Sequence, residues 1–327
     1  MASNTTYAGQ VVRDAVRRFG HLPTQTLAKH LLVRHSDLFD GDLEKIRTRI
    51  RYYRGKQGRQ SRDQAADKEL FTKTVPMPRT RRIKRKPYIL KPGLWLTLAD
   101  LHVPFHEIAP IESAISAGQA EKVDGILLNG DVMDCAAVSY WPTAVRDFDV
   151  EVEAVVDFFD WLQQAFPGVP IIYKPGNHEY RLPNYFITHA PELATSLMSA
   201  IDNVLGLENK GIAFLDDKQI VKAGLLPILH GHEVGNLIRT VNPARGLFLR
   251  AKSWALCAHC HTTSQHTSVN IGGEVLTTWS MGCLCDLSPD FAPYANDWNW
   301  GFALINIEDD GNFEVINRRI LPNGKVV

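Results

Sequence analysis

The chain has 327 residues, 45% of them hydrophobic and 22% charged, which is enough to bury a full core and too apolar for a disordered chain. No apolar run reaches the ~18 residues that span a bilayer, and the first residues carry no signal-peptide core. Five cysteines (Cys135, Cys257, Cys260, Cys283 and Cys285) are too few and too unevenly placed for a disulfide framework. A membrane span, a secreted mini-domain and a repeat array are excluded. The expectation is a soluble, cytoplasmic protein, with homo-oligomerisation left open.

Residues 7–54 read as a small helical unit. Val11, Val12, Ala15, Val16 and Phe19 fall at helical spacing before Gly20, and Leu27, Leu31 and Leu32 repeat the pattern over Thr24–His35, with Thr24 as a cap. After the turn SDLFDGD, a third helix from Asp42 to Arg54 turns Leu43, Ile46, Ile50 and Tyr53 inward and carries a basic stripe of Arg47, Arg51 and Arg54. A polar, basic stretch follows, densest at 79–86 with Arg81, Arg82, Lys84, Arg85 and Lys86, and reads as a linker or arm.

From Leu94 the texture changes. The runs LWLTLA (94–99), GILLN (125–129), VPIIYK (169–174), LLPIL (225–229) and WALCA (254–258) predict buried strands, with helical patterns such as Val150–Phe166 between them. After Ser264 the pattern is mostly strand, which adds an antiparallel component. The expectation is an α/β fold of two mixed sheets, preceded by a small basic all-α domain. We place the helix-turn-helix-like domain at 1–60, the arm at 61–93 and the larger domain at 94–327.

The net charge of zero conceals an asymmetry between these parts. Residues 1–93 hold 22 Lys/Arg against 8 Asp/Glu, whereas 94–327 hold 14 against 28. Opposite signs predict units with different partners. The basic stripe and the 79–86 cluster suit contact with nucleic acid phosphates, DNA foremost. The alternative is a docking piece that pairs with acidic surface on this chain or a partner.

Each of the five buried runs ends in chemistry. Asp100-Leu-His102 follows the first, Gly130-Asp131-Val-Met-Asp134 the second, Gly176-Asn177-His178-Glu179 the third, His230-Gly-His232 the fourth and His259-Cys-His261 the fifth. In open α/β sheets ligands bind beyond the carboxyl ends of the strands, so five such deliveries predict one shared site. Imidazole, carboxylate and amide donors together suit borderline divalent ions, with Mn²⁺ expected and Fe²⁺ or Zn²⁺ the alternatives. There are more donors than one ion uses, which favours two ions.

In the order D-x-H, G-D-x-x-D, G-N-H-[DE], His-Gly and, with Ala258 in its first position, G-H-x-H, the sequence resembles the calcineurin-like metallophosphoesterase superfamily across residues 100–261. The resemblance implies a four-layer αββα sandwich and hydrolysis of phosphate esters in which two divalent ions activate water. It implies that Asp100, His102 and His261 hold one ion, that Asn177, His230 and His259 hold the other, and that Asp131 bridges them. His178 would protonate the leaving oxygen or hold the phosphoryl group, with Asp134 orienting its ring. Glu179 stands where Asp is commoner, and Ala258 where the family usually has Gly, a position that strains Ala only if φ is positive.

Residues around these motifs admit plainer roles. Arg181 is a candidate phosphate clamp or a plain ion-pair partner, and His106 a candidate substrate contact or a surface-loop residue. His232 either lines the site or is a hydrogen-bonded structural histidine. Cys257-x-x-Cys260 with Cys283-x-Cys285 lacks zinc-ribbon spacing and reads as buried free thiols. Trp279, Trp298 and Trp300 read as core or rim aromatics. The resulting expectation is a metal-dependent nuclease acting on DNA phosphodiester bonds. The alternatives are a phosphomonoesterase (a nucleotide or protein phosphatase) with an N-terminal docking domain and, against the full ligand set, a non-catalytic assembly protein.

Overall fold

The computed structural model describes residues 6–55, 85–140, 147–192, 200–238, 241–289 and 295–327. The chain forms two compact units, Met1–Ile83 and Lys84–Val327, each with its own core. In the first, α1 (Tyr7–Arg18), α2 (Thr24–Arg34) and α3 (Leu43–Arg54) close on Val12, Leu27, Ile46 and Ile50, none more than 1% exposed. Asp42 caps α3, its Oδ1 accepting from the N–H groups of Glu44 and Lys45 at 2.8 and 3.1 Å. The expected cap of α2 differs. Pro23 occupies the cap position without a side-chain bond, and Thr24, inside the helix, turns its hydroxyl to Arg54.

The second unit begins inside the stretch read as an arm, because β1 (Tyr88–Ile89) pairs in parallel with β6 (Val221–Ala223) and Leu90 is buried between the sheets. One sheet has the order β12 (Phe313–Ile320), β11 (Trp300–Ile307), β2 (Gly93–Leu98), β3 (Gly125–Asn129), β4 (Ile171–Lys174), β5 (Ala213–Phe214), with β2 to β5 parallel. The other runs β1, β6, β7 (Leu226–Ile228), β8 (Ala255–Cys257), β10 (Val275–Ser280), β9 (Ser264–Val269). There β7, β8 and β10 are parallel. The five runs read as strands from the sequence are β2, β3, β4, β7 and β8.

Strand alternation builds the layers. Leu96, Leu98, Ile126 and Leu128 face α4 (Ile108–Glu121) and α5 (Phe148–Ala165), while Trp95, Leu127 and Ile172 face the second sheet. On the far side of that sheet, Leu247 of α8 (Pro243–Ala251) packs on Ala255 and Cys257. Helices, sheet, sheet and helix make the expected αββα sandwich of two mixed sheets. Each fully buried leucine or isoleucine contributes roughly 1.5–3 kcal/mol, so strand positions are firmly held and their ends are fixed platforms. Two further helices, α6 (Arg181–His189) and α7 (Ala200–Leu205), follow β4.

Candidate metal centre

The turns leaving three of the five strands, β2, β3 and β8, are bent in an unusual way. Asp100, His102, Asp131, His259 and His261 all adopt φ between 51 and 68°, a left-handed conformation that L side chains avoid. Strain of this kind, at five residues around one point, is retained where the surrounding fold holds side chains for a purpose. Two glycines let the turns close. A Cβ on Gly130 (φ 90°) would strike the His230 ring, and one on Gly176 would strike the Asp131 carboxylate. Ala258, by contrast, is not among the positive-φ residues. It is fully buried, its N–H donates to the His230 carbonyl at 2.7 Å, and it fits without strain.

Six of the seven sequence-expected ligands meet. His230 Nε2 lies 3.1 Å from Asp131 Oδ2 and 3.8 Å from Asp100 Oδ1, and His261 Nε2 lies 3.4 Å from Asp100 Oδ1. His102 Nε2 is 3.2 Å from His261 Nε2 and 3.9 Å from Asp131 Oδ2. Donor atoms of Asp131, His230 and His259 lie within 4.8 Å of one another, as do those of His102, Asp131 and His178. The His259 N–H donates to Asp100 Oδ2 at 2.9 Å, which joins the first motif to the last. His230 Nδ1 meets the Asn129 carbonyl at 2.7 Å, so Nδ1 carries the hydrogen and Nε2 faces the cluster.

Two atoms fit this donor set to divalent ions. Asp100 Oδ1 and Asn177 Oδ1 are buried without a hydrogen-bond partner among the described residues, a costly arrangement unless something else takes up their lone pairs. The electrostatics agree. Burial raises Asp131, but His230, His178 and His102 hold it well below the carboxylate range. Burial opposes the charged forms of His230 and His261 too, yet Asp131 and Asp100 push His230 up to about 10, and Asp100 leads in pushing His261 up to about 9. Protons on the two imidazoles thus balance the two carboxylates, and a divalent ion held by these residues would take their place.

Beside the cluster, Asp134 Oδ1 is bonded to His102 Nδ1 at 2.9 Å and to His178 Nδ1 at 2.8 Å. Arg181 NH1 donates to the Asp134 carbonyl at 2.9 Å, while its NH2 donates to His178 Nε2 at 2.9 Å. Arg181 therefore sits at the chemistry. His106 lines a groove of about 350 Å³ with Ile108, Phe158 and Trp161, and its backbone bridges to Cys285. His232 pairs with Glu233 at 3.6 Å, its ring 5.5 Å from His230. Trp298 packs against His261 with ring centroids 4.1 Å apart.

Among the basic residues, Arg47 pairs with Glu44 at 2.7 Å and Arg51 approaches the same carboxylate at 3.7 Å. Arg54 is spent inside the helical unit, donating to Leu22 O, Thr24 Oγ1 and Phe19 O at 2.9, 3.2 and 3.4 Å. Its guanidinium closes the bundle instead of facing outward. Arg85 pairs with Asp216 at 2.7 Å, and the Lys86 carbonyl accepts from Gln219. Arg81, Arg82 and Lys84 lie outside the described residues.

The sequence reading assigned no supporting role to five residues. Glu179, 1% exposed, accepts from the N–H groups of Asp131, Val132, Met133 and Gly176 at 2.7–3.1 Å and from the Tyr173 hydroxyl at 2.6 Å. Glu151 caps the turn after Asp134 by accepting from Ala136 N–H at 3.1 Å. The buried Lys174 pairs with Glu233 at 2.7 Å, and Glu233 in turn accepts from the Gly231 and His230 N–H groups. Cys285 Sγ lies 3.9 Å from His261 Nδ1. Glu179 was legible only as a motif letter, because most of its partners are backbone donors that carry no side-chain signature.

The calcineurin-like phosphoesterase family model matches residues 96–279, more than half of the chain, and the chain belongs to that family. Among curated proteins none matches the sequence. Solved structures similar to it include Vps29 from Chaetomium thermophilum (14% identity, TM-score 0.35, 72% of this chain and 93% of that one). Another is Vacuolar Protein Sorting 29 from Cryptosporidium parvum (14%, 0.32, 70% and 99%). A third is a dimetal phosphatase from Danio rerio (10%, 0.35, 70% and 96%). Among the described residues no helix is long and apolar enough to cross a membrane.

Proposed function

We propose that the chain is a metal-dependent phosphodiesterase acting on nucleic acid, a DNA nuclease, with its basic helical unit supplying substrate affinity. The observation that supports the catalytic part is the convergence of six donor residues, Asp100, His102, Asp131, His230, His259 and His261, in one buried cluster. Asp100, His102 and His261 would hold one ion and Asn177, His230 and His259 the other, with Asp131 shared. When bound, two such ions neutralise phosphoryl oxygens and acidify a water for in-line attack. Asp134 fixes the His178 ring through Nδ1 and leaves Nε2 for the leaving oxygen. Arg181 now donates to that Nε2, and a phosphate oxygen competes for the same guanidinium. Drawing Arg181 onto the phosphate would free Nε2 to take a proton from solvent and pass it to the departing oxygen.

Charge supports the choice of a polyanion. Residues 94–327 carry twice as many Asp/Glu as Lys/Arg and repel nucleic acid at long range, so affinity has to come from the basic 1–93 segment. Buried thiols at Cys135, Cys257, Cys283 and Cys285, none in a disulfide, suit a reducing compartment and support the cytoplasm as the location. The test is an activity panel with added Mn²⁺ or Zn²⁺ over DNA, RNA, cyclic and linear nucleotides and p-nitrophenyl phosphate, for the full chain and for one lacking residues 1–83. Nucleotide release from DNA that disappears with the deletion is the expected result. Rapid p-nitrophenyl phosphate turnover with DNA untouched, equal in both chains, would overturn the nuclease reading in favour of a phosphomonoesterase.

A further inference from the structure

We propose that the buried ion pair of Lys174 and Glu233 is a positioning device for the ion that Asn177, His230 and His259 would hold. Occupancy of that position depends on the pair, and occupancy of the one formed by Asp100, His102 and His261 does not. The inference rests on the metal-centre reading above and assigns the pair to one of its two positions.

The pair stands where the apolar layer between the sheets ends. Leu127 of β3 and Ile172 of β4 face the second sheet, and two residues further along the same face carries Asn129 and Lys174, which are partners in the strand register. Both are fully buried. An ammonium in such a place is costly without an opposite charge. Lys174 Nζ finds Glu233 Oε1 at 2.7 Å and the Asp217 carbonyl at 3.4 Å. Asn129 reaches toward the same segment: its side-chain N–H donates to the Leu229 carbonyl at 2.8 Å, and its own carbonyl accepts from His230 Nδ1 at 2.7 Å. Strand ends of one sheet are thereby tied to the segment 229–233 that follows β7 of the other.

Each member of the pair governs a ligand of the same ion. Glu233 accepts from Gly231 N–H at 2.7 Å and from His230 N–H at 3.3 Å, which holds the turn presenting His230. Lys174 is the last residue of β4 and leads into Pro175-Gly176-Asn177. That turn lies on the centre, since a Cβ on Gly176 would strike the Asp131 carboxylate and His178 N–H donates to Asp131 Oδ1 at 2.9 Å. Between them, Asn177 Oδ1 is buried without a hydrogen-bond partner among the described residues.

Asn177 and His230 follow strands of different sheets, so the distance between them is set by whatever spans the gap, and Lys174 with Glu233 does so. The ligands of the other ion are held by different bonds. Asp100 N–H donates to the Gly130 carbonyl at 3.0 Å, His102 N–H to the Asp131 carbonyl at 2.9 Å, and Asn299 N–H to the His261 carbonyl at 2.9 Å.

The full chain titrated with Mn²⁺ provides the test, beside three variants. Lys174→Met and Glu233→Gln each leave one member of the pair alone, whereas the double variant removes both charges and leaves neither buried unpaired. Gln offers one carbonyl oxygen where Glu offers two, so Glu233→Gln also gives up one bond to the His230 turn. Wild type at two equivalents should show, by electron paramagnetic resonance, the exchange-coupled signal of two ions sharing Asp131. Every variant should bind the first ion with unchanged affinity and the second ~10–100-fold more weakly. The same loading should then give the uncoupled signal of isolated Mn²⁺, while urea midpoints of the metal-free proteins report the fold separately. Wild-type affinity and coupling in the double variant, whatever its urea midpoint, would reduce the pair to a tie between sheets. An equal loss of both ions would overturn its assignment to one position; in either case the metal centre stands. Wild type that binds no Mn²⁺, or gives no coupled signal, would overturn the two-ion reading and this inference with it.

Discussion

Glu179 accepts four backbone N–H groups and the Tyr173 hydroxyl, and these donors come from the turns that present Asp131 and Asn177. Removing the carboxylate leaves several buried donors unmet at about 1–3 kcal/mol each. Glu179→Ala should therefore lower unfolding stability by more than ~3 kcal/mol, read from urea midpoints, and weaken metal binding in a titration. His178 and Asp131 should separate cleanly. His178→Ala should retain its metal content, measured by atomic emission, and lose ~10²–10⁴ in kcat on a substrate with a poor leaving group. Asp131→Ala should lose the metal itself. At this scale the sequence disclosed the residues whose type is diagnostic of the chemistry. It concealed those whose partners are backbone atoms, such as Glu179, and Cys285, whose neighbour His261 is 24 residues away in the chain.

Strands and helices divide the work of holding the centre, and α5 shows how. Its first turn carries Glu151, which accepts the Ala136 N–H and so fixes the turn bearing Asp134. Burial first, and the nearby Asp134 charge second, push Glu151 from the usual 4.5 up to about 7. The folded state then binds this proton more tightly than the unfolded chain does. Its contribution to stability is present in full below pH 4.5 and is lost as pH rises through about 7. Glu151→Gln should flatten the pH dependence over that interval, seen as the difference between wild-type and variant urea midpoints in metal-stripped protein. Elements of this kind were legible where length and period were adequate. GILLN became β3 residue for residue, and Val150–Phe166 fell within two residues of α5. Two-residue strands such as β1 and β5 have no period to read, and they take their conformation from the neighbour they pair with.

At the scale of the whole molecule, the division at Ile83–Lys84 and the charge asymmetry make linked predictions. A chain starting at Lys84 keeps β1, the Arg85–Asp216 pair and the buried Leu90, while one starting at Leu94 loses all three. The longer chain should melt several degrees higher, about what 1–2 kcal/mol produces in a unit of this size. With its sandwich intact, that chain isolates the contribution of the basic segment. Each phosphate neutralised by the full chain releases counterions, so log K for DNA should fall against log salt with a slope of roughly −0.9 per contact. Arg54 is occupied within the bundle, so the contacts fall to Arg47, Arg51 and the basic residues beyond it. Three or more contacts would give the full chain a slope steeper than about −2.5, measured by fluorescence anisotropy between low and moderate salt. Removing residues 1–83 should bring the slope close to zero while cobalt or zinc uptake stays unchanged. An equal slope in both chains would place the polyanion on the sandwich and assign the helical unit to protein docking.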